Sequence, residues 1–179
     1  MKPFYIFTGG PGSGKSSVLE ALASKGYSVV PEVGRAIIKQ QMLQHGQALP
    51  WQDKQLFYEQ MLECTIADYN HQKEDTLTFF DRGLLDSIGY AHLEQLNVLP
   101  AHYTLAHTTP YAPVVFIFPP WEAIYQKDTE RKQDFQLATQ THAIMRITYE
   151  KFGYHLVEVP CTSIAKRTEF ILDYLQLKR

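Results

Sequence analysis

Residues Gly9-Gly10-Pro11-Gly12-Ser13-Gly14-Lys15-Ser16 fit G-x-x-x-x-G-K-[ST], the phosphate-binding loop. This stretch limits the fold more than any other. The motif needs a strand before it and a helix after it. Lys2-Pro3-Phe4-Tyr5-Ile6-Phe7-Thr8 is short, apolar and β-prone, and Ser17 to Lys25 reads as a helix. Glycines let the backbone turn tightly and bring its N–H groups close to phosphate oxygens. A helix starting near Lys15 adds the positive end of its dipole. Gly10, Pro11, Gly12, Ser13, Gly14, Lys15, Ser16 and Ser17 are therefore expected to hold a nucleotide. Lys15 is expected at the β- and γ-phosphates, and the Ser16 hydroxyl on Mg²⁺.

The rest of the chain alternates strands and helices. Gly26 is expected to close the first helix. Tyr27–Val30 reads as a strand ending at Pro31-Glu32. Helices are expected over Val33–His45 and from Trp51 to about His71. Thr76–Phe80 reads as a strand that delivers Asp81 at its end. Arg82–Leu96 reads as a helix, and Asn97–Thr109 as a loop punctuated by Pro100 and Pro110. Pro113–Phe118 is a continuous apolar strand stopped by Pro119-Pro120. Phe135–Phe152 reads as a helix with Leu137, Ile144, Ile147 and Phe152 inward. Tyr154–Val159 is the last strand, and Ser163 caps a final helix.

Five strands separated by helices predict an α/β fold with a parallel sheet and right-handed crossovers. The 179 residues are expected to form one domain. A helical excursion at about 33–72 and a lid-like segment at about 119–134 are expected within it. The excursion is longer than a minimal crossover and is placed to cover an acceptor pocket. Ligands in such sheets sit beyond the carboxyl ends of the strands. The phosphate loop, Glu32, Asp81 and the segment after Phe118 all fall there, which makes them candidates for one site.

Each of these residues has a chemical role open to it. Asp81 can hold Mg²⁺ with Ser16, or cap the helix that follows. Glu32 can accept a proton from an acceptor hydroxyl or orient a water, or simply favour a helix start. Arg35, one turn later, can bind an anionic group. Arg131 is the leading lid cation against charge developing on a transferred phosphoryl group. Asp128, Glu130 and Asp134 are interleaved around it, as on a solvated mixed-charge face.

Composition removes other classes. The net charge is −2, and there is no basic run to hold nucleic acid or an anionic membrane surface. No apolar run nears the roughly 20 residues of a membrane helix. Cys64 and Cys161 are far apart, and the seven histidines match no metal spacing. The cysteine usage and the start of the chain lead to the expectation of a cytoplasmic protein.

The chain resembles the small AAA-domain P-loop ATPases related to the kinase domain of nicotinamide-riboside kinase. More broadly it looks like nucleoside and nucleotide kinases. The likeness rests on Thr8 to Ser16, on Val30-Pro31-Glu32 followed by Gly34-Arg35, and on Phe80-Asp81-Arg82-Gly83. Tyr149-Glu150-Lys151-Phe152-Gly153-Tyr154 adds to it. In deoxynucleoside kinases a similar Val-Pro-Glu segment supplies the catalytic base. The resemblance thus implies Glu32 as base, with Asp81 and Arg82 near phosphates and acceptor. It also implies a three-layer sheet order of 2-3-1-4-5 and a lid after the fourth strand. There is no Asn-Lys-x-Asp guanine-reading motif. No second acidic residue stands beside Asp81, as it does in a motor-type AAA ATPase.

The function expected is Mg²⁺-dependent phosphoryl transfer from ATP to a small acceptor, nucleoside-like or phosphorylated. Lys15, Glu32, Asp81 and Arg131 would be catalytic, and Glu32, Arg35 and Arg82 would meet the acceptor. The alternative is an ATP- or GTP-dependent binding module with slow hydrolysis.

Overall fold

A computed structural model describes residues 2–125 and 135–177. Five strands form one sheet: β1 (Phe4–Gly9), β2 (Ser28–Val30), β3 (Thr78–Asp81), β4 (Val114–Phe118) and β5 (His155–Glu158). Their order is β2-β3-β1-β4-β5 and every pairing is parallel. Six helices connect the described strands, α1 (Lys15–Ser24), α2 (Val33–Gln44), α3 (Lys54–His71), α4 (Leu84–Leu93), α5 (Pro100–Thr108) and α6 (Phe135–Lys151), and α7 (Ile164–Tyr174) follows the last strand. A short 3-10 turn spans Glu122–Ile124.

The strand alternation sends side chains to two separate cores. Phe4, Ile6, Phe80 and Val115 pack with Tyr58, Leu84, Ile88 and Tyr149 of α3, α4 and α6. Phe7, Phe79, Phe116 and Phe118 pack with Val18, Leu22 and Ile171 of α1 and α7. The sheet is therefore covered on both faces, which explains why its strands read as almost unbroken apolar runs. The aromatic stack Phe79–Phe7–Phe118, with centroids 5.5 and 5.0 Å apart, ties three strands together under the phosphate loop.

The local signals mostly act as their chemistry predicts. Gly26 has φ +89, the left-handed form that ends α1 just past its last turn. Ser163 Oγ accepts the Lys166 amide at the start of α7. Four expectations need correction. Asn97–Thr109 is not a loop, because Pro100 occupies the first position of α5, where its missing N–H costs nothing. α3 begins at Lys54, capped by the Asp53 carboxylate on the Leu56 amide, so Trp51 lies outside it and is exposed. Ile147 faces solvent although it was expected inward, as do Met42 and Leu43 of α2. Asp81 is not a helix cap, since α4 starts later, with Gly83 at the cap position. The lid expectation and Arg131 lie mainly or wholly outside the described residues.

Candidate active site

β1 ends in Gly9 and runs into the loop that precedes α1. Gly12 and Gly14 have φ +70 and +81, a conformation that turns successive amides toward one point. Lys15 is buried and its ammonium folds back, donating to the Gly10 carbonyl at 2.9 Å and to Ser13 Oγ at 3.4 Å. Burial pulls the Lys15 pKa down to about 7, and the nearby Arg82 charge adds to the fall. Asp81, Glu32 and Asp86 push the other way. Burial outweighs these acids, and a phosphate paired with the ammonium would restore its charge. Ser17 follows as a half-buried second-row residue of α1.

Ser16 Oγ donates to Asp81 Oδ2 at 2.8 Å, joining α1 to the end of β3. Oδ1 of Asp81 is buried and has no hydrogen-bond partner among the described residues. Burial raises the pKa of this carboxyl, against the pull of Lys15 and Arg82. An orphaned carboxylate oxygen beside a serine hydroxyl suits a hard cation.

Glu32 occupies the cap position of α2, but its side chain is not spent on the helix. Oε1 accepts Arg82 Nε at 3.1 Å, and Arg35 Nε lies 3.6 Å from Oε2. Arg82 has φ +76, a strained conformation for a side chain of its size. Its Nη1 donates to the Gly9 carbonyl and to Asp86 Oδ1, both at 3.0 Å. The arginine thus ties the base of the phosphate loop to Glu32.

Asp86 was not anticipated, yet it holds this arrangement together. It accepts Thr8 Oγ1 at 2.6 Å, Arg82 Nη1, the Gly83 amide at 2.9 Å and Tyr149 Oη at 2.7 Å. The one signal in sequence was its position four residues after Arg82, in a stretch that reads as helical. Arg167 was missed as well. It is 1% exposed, donates Nη2 to the Ser13 carbonyl at 2.7 Å, and packs on the Phe118 ring at 4.8 Å. An arginine on the apolar stripe Ile164-Arg167-Thr168-Ile171 was the available clue.

A cleft of about 940 Å³, partly open to solvent, adjoins these residues. Pro11, Glu32, Asp81 and Arg82 line it, together with Phe57 and Met61 of α3, Tyr90 of α4 and Met145 of α6. The structure therefore brings the phosphate loop, Ser16, Glu32, Arg35, Asp81 and Arg82 together. Among the described residues, no helix is long and apolar enough to cross a membrane.

This sheet order and loop are those of a nucleotide-kinase-like P-loop fold. The chain belongs to the AAA-domain family, whose model matches residues 4–167. Solved structures share the fold at low identity. The NadR protein in complex with NR aligns with a TM-score of 0.74 and 15% identity, over 98% of this chain and 52% of that one. Thymidylate kinase from Ehrlichia chaffeensis aligns at 0.65 and 15%, over 97% of each chain. Deoxyadenosine kinase from M. mycoides, with products dCMP and dCDP, aligns at 0.64 and 14%, over 97% of this chain and 98% of that one. No curated protein matches the sequence.

Proposed function

We propose that this protein transfers the γ-phosphoryl group of ATP to a hydroxyl of a small nucleoside-like acceptor. One observation carries the proposal. The phosphate loop and the cleft meet at Pro11, and Glu32, Asp81 and Arg82 share that junction. A donor phosphate on the loop and an acceptor in the cleft would face each other across it.

Lys15 would give up its bonds to Gly10 and Ser13 for phosphate oxygens, and the loop amides would take the rest. Ser16 and Asp81 fit Mg²⁺, on the evidence of the unpartnered Asp81 Oδ1. Among the described residues no cluster of three or more His, Cys, Asp or Glu is set to hold a metal, so water and phosphate would complete its shell. When bound, Mg²⁺ supplies charge neutralisation at the phosphates. Glu32 would take the proton from the acceptor hydroxyl as its oxygen bonds to phosphorus, and ADP would depart with the electron pair of the broken P–O bond. Arg82 would hold Glu32 in place, and Arg35 would sit at the edge of the same site.

The test is incubation with γ-labelled ATP, Mg²⁺ and a panel of nucleosides and nucleotides. Label in an organic product is expected. Label in inorganic phosphate alone would overturn the proposal in favour of a nucleotide-dependent binding module.

A further inference from the structure

Four of the nine large apolar side chains that stand exposed among the described residues fall within fifteen positions: Met42, Leu43, Trp51 and Leu56. The other five are scattered over the rest of the chain, as single exposed apolar side chains commonly are. The local fold gathers the four at one end of the α2–α3 hairpin. α2 stops at Gln44, and His45 follows in the left-handed form, φ +54. The chain then doubles back. The Gly46 amide donates to the Gln41 carbonyl at 2.8 Å, and the Ala48 amide to Gln41 Oε1 at 3.2 Å. Leu49 turns inward with Ile37, Ile38 and Phe57, which fixes the loop against α2. Leu43, Met42 and Trp51 are left 83%, 56% and 58% exposed at this tip, and Leu56 follows in the first turn of α3. None of the four lines the cleft, so the proposed reaction does not account for them.

The tip also carries no charge. Gln40 to Gln52 is thirteen residues without an Asp, Glu, Lys or Arg, and five of them are glutamine. In a chain that is 20% charged, that length would on average hold about two or three charges. Exposed Trp and Met with Lys, Glu and Asp depleted is the composition of an interface, not of a solvated face. The missing charge also says what the occupant is. A strongly acidic or basic partner would meet nothing of opposite sign here, and an anionic membrane would find no Lys or Arg. A second copy of the same tip brings no charge of its own. Glutamine both donates and accepts, so it can pair with itself across a two-fold axis.

We infer that this tip docks on the same tip of a second copy, giving a two-fold dimer anchored by Leu43 and Trp51. Thirteen residues are fewer than the roughly 20–30 a side of a standard interface, so the dimer is weak, with a dissociation constant in the micromolar range. The inference is independent of the phosphotransfer reading.

Sedimentation velocity on the full chain tests it, over about 1 to 200 μM protein. A monomer–dimer equilibrium is expected. Because no charges meet, its constant should move less than about two-fold between roughly 50 and 500 mM salt. Leu43→Lys and Trp51→Gln should each weaken pairing by roughly ten-fold or more. Both positions are exposed, so the urea midpoint of each variant should stay close to wild type. Ile147→Gln removes an exposed apolar side chain on α6 and should leave pairing unchanged. A monomer at every concentration overturns the inference, even where a different protein is found on the tip. So does pairing that survives either tip variant, falls equally with Ile147→Gln, is broken by salt, or grows past the dimer.

Discussion

Arg167 Nη2 stands 2.7 Å from the Ser13 carbonyl oxygen, so a cation of the C-terminal helix props the phosphate loop from behind. The contact is tight, since a Cβ on Gly14 would lie 2.5 Å from Nη1. No described carboxylate pairs with this buried charge, and burial lowers its pKa. Hydrogen bonds to charged groups contribute about 1.5–3 kcal/mol. Arg167→Met should therefore weaken MgATP binding by roughly ten-fold or more. Folding stability should change little, because an unpaired buried charge is removed with the bond. Calorimetric affinity and a urea midpoint measured on the same variant check both halves. A large stability loss at unchanged affinity would make Arg167 purely structural.

Glu32→Gln keeps the shape of the side chain and removes its basicity. Transfer should fall by roughly 10²–10⁴-fold with ATP affinity almost unchanged. Single-turnover kinetics with bound ATP separate the two effects. Wild-type turnover in the variant would place the base elsewhere.

Lys15 titrates near pH 7 in the free protein instead of near 10.5. The unfolded chain therefore binds more protons than the folded one between those values, and Lys15 makes stability rise with pH across that window. Below pH 7 both states hold the proton and the burial cost is felt in full. Bound phosphate favours the ammonium form, so ATP binding at pH 8 should take up close to one proton. Calorimetry without Mg²⁺, in buffers of different ionisation enthalpy, reads this directly. Zero uptake would show that Lys15 is already charged.

Asp86 satisfies four donors from β1, the β3–α4 turn, Arg82 and α6. Asp86→Asn replaces an acceptor with an NH₂ that faces other donors. A loss of about 3–5 kcal/mol is expected for breaking a buried charge network. Tyr149→Phe removes one bond and should cost about 1–2 kcal/mol. Chemical denaturation of both variants gives the values. Equal losses would mean that the carboxylate is no hub.

Much of this was legible because it depends on short-range rules. The phosphate loop needs its glycines at fixed offsets, and Glu32 and Asp81 follow from strands that end where the apolar runs end. Sheet order came from family likeness, not from any residue, because parallel pairing leaves no local trace. Asp86 reaches Tyr149, 63 residues away, and Arg167 reaches Ser13, 154 residues away, both beyond the range of periodicity. α5 was hidden because proline breaks a helix interior yet starts a helix well. Ile147 and Trp51 show that an apolar side chain is not bound to be inside.

One contact made by α6 reaches further than packing. A Cβ on Gly10 would lie 2.3 Å from the Ala138 carbonyl, so the helix rests on the phosphate loop there. The adjacent Leu137, with Thr141 and Met145, looks into the cleft. Under the proposed reaction, α6 would be a party wall between two rooms, one for each ligand. A shift of α6 forced by one tenant would then be felt by the other, with no lid needed to carry it.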